Sequence, residues 1–318
     1  MRVLVLGAAG FIGSHLVAAL QHESRLRGQP ITELLLADSR SMQQSQPAVR
    51  QGDICDPAFL QQLFARPVDV VFHLAAALTL DAEHDFARGL AVNVQALMQL
   101  LAHCRAQGQA DQITPAFVFA SSISTFGGPL PELVDDQVAQ TPQTSYGSHK
   151  AIAELLINDH TRRGFIDGRV LRLPVVLTHP GPASGSVSDR IAALIREPLG
   201  GRDAVCPLAP DTRFPVASVQ AVVKAFLALL EVPTERFGPT RAMNLPSLSV
   251  TPAEIAQAVA RQAPAARIHW QPDAQMQRIV DGWPRAFSSA LALRLGLQGD
   301  RHIDDIVSAH LESRRAHG

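Results

Sequence analysis

The sequence is poor in the residues that cross-link small secreted proteins or bind metals. Its three cysteines are far apart and lack CxxC spacing, so neither a disulfide framework nor a cysteine zinc site is predicted. Its twelve histidines form no HxxxH or HExxH pattern, and we expect no protein-bound metal. We therefore predict reduced thiols and a cytoplasmic location.

Charge of one sign and long apolar runs are also scarce. The net charge is -1, and basic residues cluster only at Arg25–Arg27 and Arg314–Arg315, which makes nucleic acid and a membrane surface unexpected partners. No apolar run reaches the roughly 18 residues that a transmembrane helix needs. The length of 318 residues and the hydrophobic fraction of 47% are typical of a globular protein of about two domains.

Glycines cluster near the N-terminus. The short apolar run from Arg2 to Leu6 predicts a buried strand. It is followed by a GxxGxxG turn and by residues 14–20, whose pattern predicts a helix. A strand, this turn and a helix form the context of a dinucleotide-binding fingerprint, although glycine turns without ligands are common. Gly7 allows the tight turn, Gly10 lets the backbone approach a pyrophosphate, and Gly13 lets helix and strand pack closely. The predicted cofactor-binding residues of this turn are Gly7, Gly10, Phe11, Ile12 and Gly13.

Acidic residues end the next two predicted strands. Asp38 follows the strand at 31–37, where a carboxylate can bind both ribose hydroxyls and repel a 2′-phosphate. This favours NAD over NADP, even with Arg40 nearby, and an ordinary turn residue is the alternative. Asp53 ends the strand at 48–53 and, with Ile54, is placed to contact adenine.

Strands and helices alternate through the first half of the chain. Further strands are predicted at 68–74, 116–120 and 169–176, with helices at 57–66 and 82–106. This alternation predicts an α/β fold with a doubly wound parallel sheet, a Rossmann domain. Further cofactor contacts are expected at Leu74, Ala75, Ala76, Asn93, Leu173 and Val176.

Tyr146 is the only tyrosine of the chain, and Lys150 follows it at helical spacing. Positions i and i+4 lie on one face of a helix, so the phenol and the ammonium can be neighbours. An adjacent ammonium favours phenolate and would lower the pKa of Tyr146. Tyr146 is therefore a candidate general base, with a packed aromatic residue as the alternative for an isolated YxxxK.

The pattern changes beyond residue 176. We predict a dinucleotide-binding domain at 1–176, to which 214–246 return, and a smaller mixed α/β substrate-binding cap at 177–213 and 247–318. A loop is expected at 179–185, and Trp270 and Trp283 are expected in the core of the cap.

These motifs together resemble the extended short-chain dehydrogenase/reductases, within the NAD-dependent epimerase/dehydratase family, over essentially the whole chain. The resemblance implies that Tyr146 is the base, that Lys150 lowers its pKa and binds the nicotinamide ribose, and that Ser122 orients the substrate oxygen. It also implies NAD as cofactor, Asn93 as the asparagine of a central helix, and a homodimer formed through helices 82–106 and 145–163.

Four further stretches, at 126–131, 142–147, 195–199 and 244–246, resemble a branch of this family that oxidises the C2 hydroxyl of a four-carbon sugar acid. Such a substrate carries a carboxylate, which favours a bidentate arginine. Arg196 and Arg213 are the candidates, and Ser124 is a further candidate contact. Structural arginines and a capping serine are the alternatives.

Two departures bear on the substrate. Family members often have tyrosine where Phe126 stands, and many nucleotide-sugar enzymes have asparagine near Val175, so a nucleotide-sugar substrate is disfavoured. The competing hypotheses are a nucleotide-sugar epimerase or dehydratase, a uronate dehydrogenase, and a non-catalytic NAD-responsive regulator. Net formation of NADH would separate a dehydrogenase from an epimerase, which returns its NAD unchanged.

Overall fold

The computed structural model describes residues 1–40, 49–177 and 186–317, with side chains described up to residue 312. The predicted loop at 179–185 lies outside the described residues. The chain forms two compact units, one of Met1–Ser122, Thr144–Arg172 and Val223–Met243, the other of Ile123–Gln143, Leu173–Val222 and Asn244–Gly318.

The strands, in chain order, are β1 (Arg2–Leu6), β2 (Arg25–Leu26), β3 (Gln29–Pro30), β4 (Glu33–Asp38), β5 (Val49–Gln51), β6 (Val70–His73), β7 (Ala116–Ser122), β8 (Leu133–Val134), β9 (Asp167–Leu173), β10 (Val175–Leu177), β11 (Ala204–Cys206), β12 (Phe214–Ser218), β13 (Ala242–Asn244), β14 (Leu248–Val250), β15 (Ile268–Trp270) and β16 (Ala286–Phe287). The helices are α1 (Phe11–Glu23), α2 (Pro57–Leu63), α3 (Thr79–His84), α4 (Phe86–Leu90), α5 (Ala96–Asp111), α6 (Ser145–Arg162), α7 (Val187–Leu199), α8 (Val219–Glu231), α9 (Pro252–Gln262), α10 (Ala274–Asp281), α11 (Ala290–Arg294) and α12 (Ile303–His317). A π-helical segment covers Ala91–Gln95, and short 3-10 helices cover Ile123–Thr125 and Thr234–Arg236.

The first unit is built on a seven-stranded sheet of order β13-β9-β7-β6-β1-β4-β5. Strand β1 pairs in parallel with both β4 and β6. The chain therefore adds β4 on one side of β1 and later β6 on the other side, which makes the carboxyl end of β1 the switch point of the sheet. All five residues of β1 are buried, as expected for a strand with both faces covered. The predicted α/β doubly wound fold is confirmed, and its switch point is where such sheets bind ligands.

The helix predicted at 82–106 is broken into α3, α4, the π-helical segment and α5. Asp85 causes the first break, because its backbone is not helical and its side chain accepts a hydrogen bond from the Arg88 N–H as the N-cap of α4. A residue that caps one helix cannot continue the helix before it. The π-helical segment carries Asn93.

The second unit contains a three-stranded sheet of order β10-β12-β14. Its buried core includes Phe126, Ile191, Phe214 and Trp283. Trp270, which we expected in the same core, is 40% exposed at the end of β15. The expectation for Trp270 is wrong, because the two-stranded pairing of β11 with β15 leaves that ring facing solvent.

The unit boundaries differ from the sequence-based domain boundaries. The strand predicted at 169–176 is divided into β9 and β10 at Pro174, which lacks an N–H for a continuous ladder. Strand β12 joins β10 in the second unit instead of returning to the large sheet, and residues 123–143 also group with that unit. Strand β13 does join the large sheet.

Across the described ranges, every helix is too short or too polar to cross a bilayer.

Candidate active site

The glycine turn lies between the carboxyl end of β1 and helix α1. Gly7 has a φ of +83°, which L side chains rarely adopt, and a Cβ on Gly13 would lie 2.0 Å from the Gly7 carbonyl oxygen. Gly10 is the N-cap of α1, and no side chain caps that helix. The backbone of this helix N-terminus is therefore not covered by a capping side chain, which is the arrangement that accepts an anionic group.

Asp38 connects the end of β4 to the glycine turn. Its carboxylate accepts hydrogen bonds from the Ala9 N–H at 3.0 Å and from the Arg40 N–H at 2.9 Å. The Arg40 guanidinium lies 3.5 Å from the same carboxylate but is mostly exposed. Asp38 is thus held beside the turn by two backbone donors, and its contact with a ribose stays a prediction.

Asp53 and Ile54 lie in the turn after β5. Asp53 accepts a hydrogen bond from the Cys55 N–H at 2.9 Å and forms an ion pair with Arg88 of α4 at 2.9 Å. Partial burial opposes ionisation of Asp53, but these two partners outweigh it and lower its pKa. Ile54 is buried in the core of the first unit. The predicted contact of this pair with adenine stays a prediction.

Asn93 fixes the turn that follows β6. Its side chain accepts from the Ala77 N–H and donates to the Ala77 carbonyl, both at 2.9 Å. Leu74 continues the ladder by donating to the Leu6 carbonyl at 2.9 Å. Asn93 therefore satisfies the backbone of the turn on which Ala75 and Ala76 lie, and this accounts for a buried amide among apolar neighbours.

Helix α6 carries the predicted catalytic pair. Thr144 begins it as N-cap, with its hydroxyl accepting a hydrogen bond from the Gly147 N–H at 3.0 Å. The Tyr146 hydroxyl is hydrogen-bonded to the side chain of Ser122 at the end of β7. Lys150 is only 3% exposed, and its Nζ donates to the Ala120 carbonyl at 2.8 Å.

The lysine amine lies between two aromatic rings. Its Nζ is 4.4 Å from the centroid of the Phe119 ring and 5.5 Å from the centroid of the Tyr146 ring. The first unit thus brings Tyr146, Lys150 and Ser122 together, and each of these three had been predicted from the sequence. A phenol, an amine and a hydroxyl in this arrangement can exchange a proton with a substrate hydroxyl or carbonyl.

Burial shifts the pKa values of both Tyr146 and Lys150. Burial raises the pKa of Tyr146 to about 12, with the Ser122 hydrogen bond opposing it. Burial lowers the pKa of Lys150 to about 7, with the nearby Glu154 carboxylate opposing it. In the free protein burial thus outweighs the other influences on both groups, and the effect of Lys150 on the pKa of Tyr146 stays a prediction.

Sequence reasoning missed a buried ion pair next to this site. Glu154, on α6, forms an ion pair with Arg172 of β9 at 2.7 Å and accepts a hydrogen bond from the Ser121 hydroxyl. The signal was present, since Glu154 follows Lys150 at the i+4 spacing at which helical side chains meet.

The remaining predicted site residues lie in the second unit. Ser124 is buried in the 3-10 turn, Leu173 is buried at the end of β9, and Val176 is half-buried in β10. Arg196 is buried in α7, where it pairs with Asp189 at 2.6 Å and Glu197 at 2.9 Å. Arg213 is exposed and donates to Glu254 at 3.2 Å and to the Ser249 carbonyl at 3.1 Å. Both guanidinium groups have carboxylate partners within their own unit.

Across residues 1–40, 49–177 and 186–312, no three side chains of the metal-ligating types His, Cys, Asp and Glu come together as a metal site would require.

Comparison with protein families gives a match to the NAD dependent epimerase/dehydratase family over residues 3–245. The chain is 41% identical to a D-erythronate dehydrogenase of Cupriavidus necator, with 98% of each chain covered. It is 33% identical to a D-erythronate dehydrogenase of Haemophilus influenzae, with 98% of this chain and 99% of the relative covered.

Among solved structures, the nucleoside-diphosphate-sugar epimerase from Agrobacterium tumefaciens has a TM-score of 0.94 to this chain. The two are 33% identical, and the match covers 100% of this chain and 95% of the other.

Proposed function

Because this chain belongs to the NAD dependent epimerase/dehydratase family, we propose that it is an NAD-dependent dehydrogenase that oxidises the C2 hydroxyl of D-erythronate to 2-dehydro-D-erythronate. The observation that carries the reaction type is the hydrogen bond between Tyr146 and Ser122, with the Lys150 amine one helical turn away. The relatives at 41% and 33% identity, matched over nearly their whole lengths, support the substrate.

The glycine turn fits a dinucleotide pyrophosphate. Among residues 1–40, 49–177 and 186–317, a Cβ on Gly10 would meet only the Gly7 carbonyl oxygen at 3.1 Å and the tip of Arg40 at 3.8 Å, apart from its chain neighbours. Space is therefore left above the uncapped start of α1. Gly7, Gly10, Phe11, Ile12 and Gly13 would hold the pyrophosphate through backbone donors.

The other expected cofactor contacts follow the carboxyl ends of the strands. Asp38 would bind the adenosine ribose, and its carboxylate would repel a 2′-phosphate, which favours NAD over NADP. Asp53, Ile54, Leu74, Ala75, Ala76, Asn93, Leu173 and Val176 would complete the cofactor site. When bound, the nicotinamide supplies the acceptor for the substrate hydride.

The residues of this chain handle the proton and the orientation of the substrate. Tyr146 as phenolate takes the proton of the C2 hydroxyl, and Ser122 hydrogen-bonds the same oxygen and positions it. Lys150 as ammonium stabilises the phenolate. Since the pKa of Lys150 is about 7 in the free protein, its charge changes across the neutral range.

Arg196 and Arg213 remain the proposed partners of the substrate carboxylate, with Ser124 as a further contact. To bind substrate, Arg196 would have to share its guanidinium with Asp189 and Glu197. Arg213 is exposed and carries a single carboxylate ion pair, so it needs less rearrangement. A Michaelis constant unchanged in both Arg196→Leu and Arg213→Leu would remove the two residues from the site.

The test of the proposed function is a screen of sugar acids of four to six carbons with NAD, followed by NADH absorbance. We expect D-erythronate to give net NADH. The Tyr146→Phe variant should lose turnover by about a hundredfold or more while still binding NADH, because the ring is kept and only the proton acceptor is removed.

Ser148→Ala is the matched control on the same helix. Its hydroxyl donates to the Thr144 carbonyl and points to no residue of the proposed mechanism, so activity should persist. Near-normal turnover of Tyr146→Phe would contradict the mechanism. A nucleotide sugar converted without net NADH would favour the epimerase suggested by the structural relative.

We also propose that two copies pair through α5 and α6 and that the protein is cytoplasmic. Met98 of α5 and Ile152 and Leu155 of α6 are large apolar side chains exposed on the single chain, and burial of such residues favours association. The three cysteines carry free thiols, which fits a reducing compartment.

A further inference from the structure

A buried network of charged and polar groups lies against the lysine of the candidate site. Glu154 is 4% exposed and accepts hydrogen bonds from the Arg172 Nε at 3.0 Å and from its Nη2 at 2.7 Å. The Ser121 hydroxyl also donates to Glu154. Both oxygens of this buried carboxylate therefore have hydrogen-bond donors from the protein.

This network is joined to Lys150 in two ways. Glu154 lies one helical turn after Lys150, on the same face of α6. Ser121, which donates to Glu154, directly follows Ala120, whose carbonyl accepts from the Lys150 Nζ. The strand end that carries Ser122 is therefore tied to α6 through both the lysine and the glutamate.

The groups around Lys150 leave its charge dependent on Glu154. On α6 its neighbours are Tyr146, a neutral phenol at neutral pH, and Glu154. Strand β7 offers the Phe119 ring and the neutral Ala120 carbonyl. Strand β6 offers His73, which burial keeps neutral with a pKa of about 3.

Arg172 of β9 forms an ion pair with Glu154 at 2.7 Å, and it is not among the causes of the shifted pKa of Lys150. The negative charge that offsets the burial of the lysine amine is therefore that of Glu154, in agreement with the direction of its effect on the pKa of Lys150. Without this carboxylate, a buried amine beside two aromatic rings would lose its proton more easily.

We propose that Glu154 is a positioning residue that acts on catalysis through Lys150, keeping the buried amine charged and tying it to the strand end that carries Ser122. The effect of Glu154 on catalysis rests on the proposed dehydrogenase function. The effect of the Glu154 carboxylate on the pKa of the Lys150 amine can be measured without any turnover.

The chain allows that measurement because it contains only two lysines, Lys150 and the exposed Lys224. Isotopic labelling of lysine in the full-length protein gives two side-chain NMR signals, and a Lys224→Arg background leaves Lys150 alone. Titrating this signal with pH reads the pKa of Lys150 directly in each variant.

In the Glu154→Gln variant we expect the pKa of Lys150 to fall by about one pH unit, since an opposite charge is lost. Glu154→Asp keeps the charge and should restore most of the wild-type value. Ser121→Ala removes a hydrogen bond but no charge and is the matched control, with the pKa of Lys150 unchanged. A wild-type pKa in Glu154→Gln would overturn the proposal.

A second variant covers the case in which Glu154→Gln does not fold because Arg172 is left unpaired. Glu154→Met combined with Arg172→Met removes both charges, a change that buried ion pairs often tolerate. It should still lower the pKa of Lys150, by less than Glu154→Gln does because the positive charge of Arg172 is lost as well. A pKa of Lys150 at or above the wild-type value in this variant would overturn the proposal.

The activity readout separates this inference from the proposed function. If wild type forms NADH, Glu154→Gln should lower the turnover number near neutral pH and shift its pH profile, with little change in the Michaelis constant. An unshifted profile would overturn the catalytic part. If wild type oxidises no sugar acid, the proposed function fails while the titration still tests whether Glu154 controls Lys150.

Discussion

Burial decides the charge of individual residues in the candidate site. Tyr146 and Lys150 would each be close to its reference pKa in water, whereas here the phenol is raised to about 12 and the amine is lowered to about 7. Burial opposes the charged form of both side chains, and it leaves Lys150 as an amine whose charge changes near neutral pH. In the proposed mechanism the charge of this amine depends on nearby groups, among which Glu154 is built into the protein.

In the glycine turn, the addition of a single Cβ atom at Gly13 is expected to affect both stability and cofactor binding. In Gly13→Ala, the new Cβ would lie 2.0 Å from the Gly7 carbonyl oxygen, and the contacted atoms are backbone that cannot move aside cheaply. We expect a loss of about 1–3 kcal/mol or more in the free energy of unfolding, together with loss of NAD binding. Urea unfolding and a cofactor titration measure the two effects.

Gly238→Ala is the matched control for Gly13→Ala. A Cβ there would meet no atom of the described residues within 4 Å, so stability and binding should stay at wild-type levels. If both alanine variants behaved alike, close packing at Gly13 would not be what the turn requires.

Helix α6 is the element on which the site depends most, since it carries Tyr146, Lys150 and Glu154. Lys150 and Glu154 of this helix are hydrogen-bonded to Ala120 and Ser121 of β7. At the first residue of the helix, the Ser145 N–H donates to Glu83 of α3. The start of the helix lies one residue before Tyr146. The Thr144 cap of α6 therefore lies two residues before the candidate base Tyr146, and we expect it to influence the order of that phenol.

Removing this cap should have a measurable cost. In Thr144→Ala, the Gly147 N–H loses its side-chain acceptor, and we expect about 1 kcal/mol lower stability with a reduced turnover number. Thr144→Ser keeps the hydroxyl and should remain close to wild type in both properties. Chemical denaturation measures the stability, and rate measurements on the same samples give the turnover number. Wild-type values of both in Thr144→Ala would show that the cap has no influence.

At the scale of the whole molecule, the candidate site residues are distributed over two units, each with its own core. The first holds the glycine turn, the acidic strand ends and the Tyr146–Lys150–Ser122 group, and the second holds the candidate substrate arginines. The chain also leaves α5 and α6 with exposed apolar side chains. The proposed pairing of two copies would cover them.

Leu155 is the residue that tests this pairing, because it is 69% exposed on the single chain. Glu in its place would put a charge into the proposed interface, and we expect Leu155→Glu to halve the mass measured by light scattering. Leu293→Glu, on a leucine that is 60% exposed in the other unit, is the control and should leave the mass of wild type. A wild type that is already monomeric would rule out the proposed pairing.

The sequence by itself determined the fold class, the family and the three central residues of the candidate site. It could do so because glycine spacing, alternating strands and helices and the i to i+4 position of a phenol and an amine are local patterns, each with a direct physical meaning. The bounds of some strands were also close, as in β1 and β4, since buried parallel strands are continuous apolar runs.

Only the tertiary structure decided which segments join which unit and what charge the site carries. The pairing of β12 with β10 and the exposure of Trp270 depend on contacts between distant parts of the chain. The pKa values of Tyr146 and Lys150 depend in the same way on burial, and the role of Glu154 depends on Ser121 and Arg172, which are 33 and 18 residues away. Local sequence carries no information on desolvation, which is set by what the rest of the fold packs around a group.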